Sequence, residues 1–170
     1  MLPRLLRATF VVMGVWPWAL PLLRAHLPLG TFGVALDAAF VTMCHRLPER
    51  TLVLDGVAMP LCSRCSGIFA GLAVGAIVLR PILSARAWRW VISAAAAGMV
   101  LDVATQDLGI HPVWHPTRLA TGAFFGYSVA VACITALRRE AEAAQAASGG
   151  VPAPPAGPGG VAGRGGWGET

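Results

Sequence analysis

The sequence predicts an all-α fold: a membrane bundle of about four transmembrane helices and one short interfacial helix. Hydrophobic residues make up 56% of the 170-residue chain and charged residues only 12%, with a mean hydropathy of +0.66. Soluble domains carry about 25% charged residues. Long uncharged runs also end at arginines, and glycines recur at every fourth position. These observations predict a multi-pass protein of the cell membrane, in contact with the lipid bilayer.

The basic charge does not indicate a nucleic-acid partner. The net charge is +5, and arginine accounts for all 13 basic residues. No basic stripe is interleaved with aromatic residues, as nucleic-acid binding would require. We therefore expect no nucleic acid among the partners, and we interpret the arginines as basic flanks of membrane segments.

The first element is expected to be an uncleaved signal anchor. Arg4 and Arg7 precede an uncharged run over residues 8–23. No small-x-small cleavage site follows the run, although a cleaved signal peptide stays open as the alternative. Pro17 and Pro21 predict an irregular helix, which membrane helices tolerate.

The second element, residues 31–43, is too short to span. Asp37 interrupts its apolar run, and about 20 apolar residues are needed to cross a bilayer. We expect this segment to lie in the interface plane. If it crosses instead, the N-terminus changes sides.

Three further spans follow a polar loop. They are predicted over residues 62–79, 88–105 and 119–137, and the last has 19 residues without a charge. The bundle would occupy residues 1–142. A tail rich in glycine, proline and alanine, residues 143–170, is predicted to be disordered.

Small residues spaced by four predict close packing of these helices. Such stripes let membrane helices approach until their backbones touch. Running the last two helices antiparallel would place Gly98 near Gly122. The glycines assigned to helix packing are Gly67, Gly71, Gly75, Gly98, Gly122 and Gly126.

Successive spans cross the membrane in opposite directions, which would bring polar residues from several helices to one membrane face. The predicted polar cluster comprises Arg50, Arg64, Asp102, Gln106 and Arg118. Charges at membrane depth are costly and normally paired, so an ion pair between Asp102 and Arg118 is predicted. The alternative is that the two side chains snorkel separately.

Arginine counts suggest which face this is. Five arginines lie on the cluster's face: Arg24, Arg46, Arg50, Arg64 and Arg118. Seven flank the opposite face if the first helix spans once: Arg4, Arg7, Arg80, Arg86, Arg89, Arg138 and Arg139. The positive-inside rule then puts the cluster outside the cytoplasm.

Cysteines at the mouth of the third span predict a metal site on the same face. Cys62 and Cys65 open the helix, where its N-terminus and Arg64 favour thiolates. With Cys44 and His45 they give four ligands, the number of a closed zinc site. A redox-active or structural disulfide, or simple packing of free thiols, stays open. Cys133 is predicted to be a small core hydrophobe.

These motifs resemble a known family. The segments "CHRLPERT", "PLCSRCSGIF", "DVATQ" and "RLATG" are similar to domain of unknown function 2085, a family of small prokaryotic membrane proteins. The resemblance covers about residues 43–127. It marks Cys44, His45, Pro48, Arg50, Cys62, Arg64, Cys65, Gly67, Asp102, Gln106, Arg118 and Gly122. The chain departs from the family pattern at Arg46, Thr51, Phe69 and Val103. The resemblance implies a shared site but no reaction.

Two classes of function follow from the residues. The first is a non-enzymatic membrane module whose metal site, with zinc as cofactor, braces a loop. The second is a membrane thiol-disulfide oxidoreductase using Cys62 and Cys65, although such bundles usually carry two cysteine pairs. A weaker alternative is transport of a proton or solute through Asp102, Gln106 and Arg118. The sequence assigns no catalytic residue, and it leaves open a homo-oligomer or another membrane partner.

Overall fold

The computed structural model describes residues 2–78 and 83–149, and these are mostly helical. The all-α class predicted from the sequence is confirmed, with one small hairpin added. A 3-10 turn, Pro48–Arg50, precedes the hairpin. The elements are α1 (Leu2–His26), α2 (Gly30–Val41), β1 (Thr51–Leu54), β2 (Val57–Cys62), α3 (Ser63–Val78), α4 (Ala85–Asp107) and α5 (His115–Ser148).

Three of these helices, α1, α4 and α5, are long and apolar enough to cross a membrane. Helix α3 was predicted as a fourth span, and its described part has 16 residues. Helix α2 has 12 residues, which agrees in length with the short second element predicted from the sequence. Residues 79–82, at the end of the predicted third span, lie outside the described part.

Helix α1 stays continuous through both of its prolines. Pro17 and Pro21 are buried, as are Gly14 and Leu20. A Cβ at Gly14 would meet Ala73 of α3, and Trp18 donates a hydrogen bond to the Ser66 carbonyl oxygen at 3.3 Å. Residue numbers rise along α1 as they fall along α3, so the two helices are antiparallel.

The segment predicted to be a polar loop contains a β-hairpin. Strands β1 and β2 pair antiparallel, with Leu54 opposite Val57. The two residues between them, Asp55 and Gly56, have φ angles of 51° and 76°. Positive φ at both positions is the requirement of a type I′ turn, and Asp-Gly satisfies it. Strand β2 of the hairpin ends at Cys62, so this cysteine lies directly before the start of α3.

The tightest contact in the bundle joins α3 to α5. A Cβ at Gly71 would lie 2.8 Å from the carbonyl carbon of Ala123, and one at Gly75 would lie 2.8 Å from the carbonyl oxygen of Tyr127. Glycines on both helices line this contact, so the backbones approach as membrane helices with small residues do. Residue numbers rise together along both helices, so α3 and α5 are parallel.

Helix α4 packs at the periphery. Ser84 caps its N-terminus by accepting a hydrogen bond from the Ala87 N–H at 3.2 Å. Trp88 and Ala95 are its buried residues, and the Trp88 ring lies 6.4 Å from that of Tyr127. A Cβ at Gly98 would meet nothing within 4 Å.

The predicted contact between Gly98 and Gly122 is therefore wrong. A Cβ at Gly122 would instead meet the backbone of Arg64 and Ile68. The glycines of α5 face α3 rather than α4, because two glycine stripes bring backbones closer than one stripe against alanines. The final helix also continues to Ser148, past residue 143 where the tail was predicted to begin. Residues 150–170 lie outside the described part.

Candidate metal centre

Three thiols converge where the hairpin meets α3. The sulfur atoms of Cys44, Cys62 and Cys65 all lie within 4.8 Å of one another. All three residues are partly buried and free of disulfides. Two sulfurs that bind one tetrahedral zinc at ~2.3 Å are about 3.8 Å apart. A small contraction of this cluster, which we call the thiol cluster, would therefore fit a metal ion.

Local backbone features position each thiol. Cys44 follows the end of α2, where its N–H bonds the Phe40 carbonyl oxygen at 3.2 Å. Arg46 then adopts a φ of 51°, which turns the chain sharply. Cys62 ends β2, and its N–H donates a hydrogen bond to the Cys44 sulfur at 3.3 Å. Cys65 lies in the first turn of α3, one turn from Cys62 along the chain.

The surroundings of Cys62 favour the thiolate form. Hydrogen bonding from the Cys65 side chain lowers the pKa of Cys62 from its usual 9.0 to about 4, against the opposing effect of desolvation. Hydrogen bonds from the Cys65 N–H, the Cys44 thiol and the Arg64 N–H add to the stabilisation. A thiolate is the form that binds metal or attacks a disulfide. The hydrogen bonds around Cys62 therefore prepare its sulfur for metal binding or for thiol chemistry.

His45 lies beside the thiol cluster rather than in it. The side chain is exposed and lines the same open cleft, of about 360 Å³, as the three cysteines. Its ring nitrogens are not part of the group of atoms within 4.8 Å. Cys44 and His45 are adjacent in the chain, which turns sharply at Arg46. Cys44 contributes to the cluster, and His45 faces solvent.

Four of the five residues of the predicted polar cluster form a continuous network. Arg64 pairs with Asp102, and the Gln106 side-chain N–H₂ donates to the same carboxylate at 3.1 Å. Arg118 donates to the Gln106 side-chain oxygen. The network joins α3, α4 and α5. Arg50 pairs separately with Asp107 at 3.2 Å.

The ion pair predicted between Asp102 and Arg118 is wrong. The carboxylate pairs with Arg64, and Gln106 separates it from Arg118. The reason is the close contact between α3 and α5. It brings Arg64 of α3 to Asp102 of α4, whereas the sequence argument had paired α4 only with α5. The alternative, in which Asp102 and Arg118 snorkel separately, does not describe the site either, because Asp102 pairs with Arg64 and Arg118 is only 2% exposed.

Arg118 is a buried cation without a carboxylate partner among the described residues. Within residues 2–78 and 83–149 its Nε atom has no hydrogen-bond partner, and another guanidinium nitrogen donates to the neutral side-chain amide of Gln106. The guanidinium interacts with the Cys62 side chain and lines the cleft with the three thiols. A Cys62 thiolate therefore places a negative charge beside Arg118.

A second charged group lies beside the cleft and was missed by sequence reasoning. Asp37 accepts hydrogen bonds from Arg24 at 2.8 Å and from Arg46 at 2.9 Å. This pairing ties α1, α2 and the turn after Cys44 together. The signal was available, because a carboxylate inside an apolar segment requires a partner. The Asp-Gly turn of the hairpin was a second signal that could have been used.

The fold and site define a helical membrane protein with a cysteine cluster where the hairpin meets α3. Residues 44–132 match the family described as a predicted membrane protein, DUF2085. The chain belongs to this family, which confirms the resemblance found in the sequence.

Two relatives of the chain are described as uncharacterized proteins. The chain is 30% identical over 100 residues to an uncharacterized protein of Methanocaldococcus jannaschii, covering 56% of this chain and 64% of that protein. It is 32% identical over 94 residues to an uncharacterized protein of Methanothermobacter thermautotrophicus, covering 54% of this chain and 85% of that protein. No solved structure matches the chain.

Proposed function

We propose that this protein is a membrane metal-binding module that holds one zinc ion through Cys44, Cys62 and Cys65. The observation that carries the proposal is the convergence of three sulfurs within 4.8 Å. A disulfide would involve only two of these sulfurs and would leave the third without a role. A metal ion could bind all three. Soft thiolates favour zinc among the common divalent ions.

Charge balance supports the proposal. Arg64 and Asp102 cancel each other, which leaves the charge of buried Arg118. Three thiolates and one Zn²⁺ carry one net negative charge, so they would neutralise Arg118. Burying an uncompensated charge is costly in a membrane protein.

The role we propose for the metal is structural. Cys44 follows α2, whereas Cys62 and Cys65 flank the start of α3, so one ion would clamp the segment between them. Three protein ligands leave a fourth tetrahedral position, which His45 from the same cleft, or water, would fill. His45 would need to move to reach it.

We propose that the thiol cluster lies at the membrane face outside the cytoplasm. Support comes from the sequence: if the first helix spans once, seven arginines flank the opposite face of the bundle, against five on the face of the thiols. The positive-inside rule places such an end in the cytoplasm.

Metal analysis of the purified, detergent-solubilised protein tests the proposal. We expect about one zinc per chain, since each cysteine supplies one ligand. Cys62→Ser or Cys65→Ser should abolish binding, whereas Cys133→Ser, in α5 and exposed, is the matched control. His45→Ala should lower the affinity by ~10–100-fold if it only orients the site, and abolish binding if it is a ligand.

A different result would support the oxidoreductase instead. The close approach of Cys62 and Cys65 also suits a dithiol that is oxidised to a disulfide. Metal-free protein isolated with a Cys62–Cys65 disulfide, which a dithiol reduces and a quinone re-forms, would overturn the metal proposal. Thiol counting under non-reducing conditions distinguishes the two outcomes.

A further inference from the structure

A second cavity lies far from the thiols, between the start of α4 and the later turns of α5. Its volume is about 310 Å³, and most of its lining is apolar, including Ala132 and Ala136. Two arginines, Arg89 and Arg139, also line it. The cavity is therefore apolar inside and basic at its edge.

The arginines of this cavity have no acidic partner within the part of the chain that the structure describes. No carboxylate in residues 2–78 or 83–149 forms an ion pair with Arg89 or Arg139. Glu142 follows on α5 but lies with Arg4 and Arg138 at another surface of the helix. Both charges remain available to an anion.

Two buried hydrogen-bond donors in the lining also lack partners. Trp88 and Thr135 are 6% and 8% exposed. The Trp88 Nε1 and Thr135 Oγ1 atoms are buried, and neither has a hydrogen-bond partner among the described residues. Both residues line the cavity. Buried donors without acceptors are uncommon in native structures and call for an explanation.

The depths of these groups match the layers of a phospholipid. Arg139 follows the 19-residue uncharged run that ends at Leu137, which places it at the membrane interface with the lipid phosphates. Thr135 lies four residues earlier, about 6 Å deeper along the helix. Ester carbonyl groups, which are hydrogen-bond acceptors, occupy the layer below the phosphates.

We propose that this cavity binds one anionic phospholipid. The phosphate pairs with Arg89 and Arg139, a carbonyl oxygen accepts from Trp88 or Thr135, and the acyl chain covers the apolar lining. Basic pockets between transmembrane helices are suited to such head groups. The lipid would join α4, which buries little of its surface in the bundle, to α5.

Native mass spectrometry of delipidated protein tests this proposal. The probes are phosphatidylglycerol and phosphatidylcholine with identical acyl chains. We expect one phosphatidylglycerol to bind in preference to phosphatidylcholine. Arg89→Gln together with Arg139→Gln should weaken phosphatidylglycerol binding by about 25-fold, at about five-fold for each arginine.

Two further variants separate a site from diffuse attraction. Arg138→Gln removes the neighbouring charge from another surface of α5 and should leave binding within about two-fold. Ala136→Leu fills the cavity without changing a charge and should weaken binding of both lipids. Ala136 is exposed, so this variant is expected to fold, which circular dichroism checks.

The proposal fails if Arg138→Gln weakens binding as much as Arg139→Gln, or if Ala136→Leu has no effect. Binding of inorganic phosphate to the delipidated protein with the same dependence on Arg89 and Arg139 would identify a free-anion site instead. A lipid-free dimer that Ala136→Leu dissociates would assign the cavity to a second copy of the chain and would overturn the proposal.

Discussion

Gly71→Ala should destabilise the bundle although it adds only a methyl group. Gly71 lies in the contact between α3 and α5, where an added Cβ would be 2.8 Å from both the Ala123 carbonyl carbon and the Tyr127 nitrogen. Ordinary contact begins at 3.4 Å. The atoms in the way belong to the α5 backbone, so no flexible side chain can move aside. The Ala123 carbonyl oxygen would be closer still, so the two helices must separate by more than the ~0.6 Å that these two contacts alone require.

The magnitude follows from two opposing effects. Overpacking of a close contact costs about 1–3 kcal/mol, and backbone atoms that cannot relax favour the upper part of that range. Alanine recovers about 1 kcal/mol of helix propensity relative to glycine. We therefore expect Gly71→Ala to lower the free energy of unfolding by roughly 1–2 kcal/mol.

Gly98→Ala is the matched control. A Cβ at Gly98 meets nothing within 4 Å, so the propensity gain acts alone and should stabilise the bundle by up to about 1 kcal/mol. Equilibrium unfolding in mixed micelles, followed by circular dichroism, measures both variants. The propensity effects cancel in the difference, which should be about 2–3 kcal/mol. Equal changes in the two variants would refute the close approach of α3 and α5.

Two other predictions concern the ion pair and the topology. Asp102→Ala should cost about 3–5 kcal/mol in the same unfolding assay because it leaves Arg64 buried without its partner, and adding Arg64→Ala should recover part of the loss. Asp107→Ala, in an exposed pair, should cost under about 1 kcal/mol, and similar losses for the two carboxylates would contradict the argument. Impermeant maleimide should label Asp55→Cys from outside intact cells and Arg86→Cys only after permeabilisation, as peptide mass spectrometry can resolve. Labelling of both from the same side would contradict the topology.

Hydropathy and local motifs predicted the membrane class and identified the thiols. Composition is enough for the class, because a chain with so few charges cannot cover itself with polar surface. Cys62 and Cys65 are close in sequence, so the start of one helix brings them near each other. Cys44 was included because of its motif, and the structure brings it to the same place.

The partners of the charged groups could not be predicted, because they depend on which helices pack together. The sequence argument assumed that consecutive helices are the closest neighbours, and it paired Asp102 with Arg118 on that basis. The glycines of α3 instead pack against the α5 backbone at Leu119, Ala123 and Tyr127, and this contact of α3 with α5 brings Arg64 to Asp102. A stripe of small residues shows that a face packs closely, but it does not identify the opposite face.

The parallel contact between α3 and α5 has a consequence for the order of assembly during synthesis. Helix α3 leaves the ribosome well before its main partner, because all of α4 and the linker after it must follow first. Until α5 is synthesised, the glycine face of α3 lacks the helix against which it packs, and Arg118 is not yet present beside the thiol cluster. The final surroundings of the thiol cluster therefore form only after α5, which begins at His115, has been synthesised. We therefore expect nascent chains arrested before α5 to carry little metal, so that metal uptake would mark completion of the bundle.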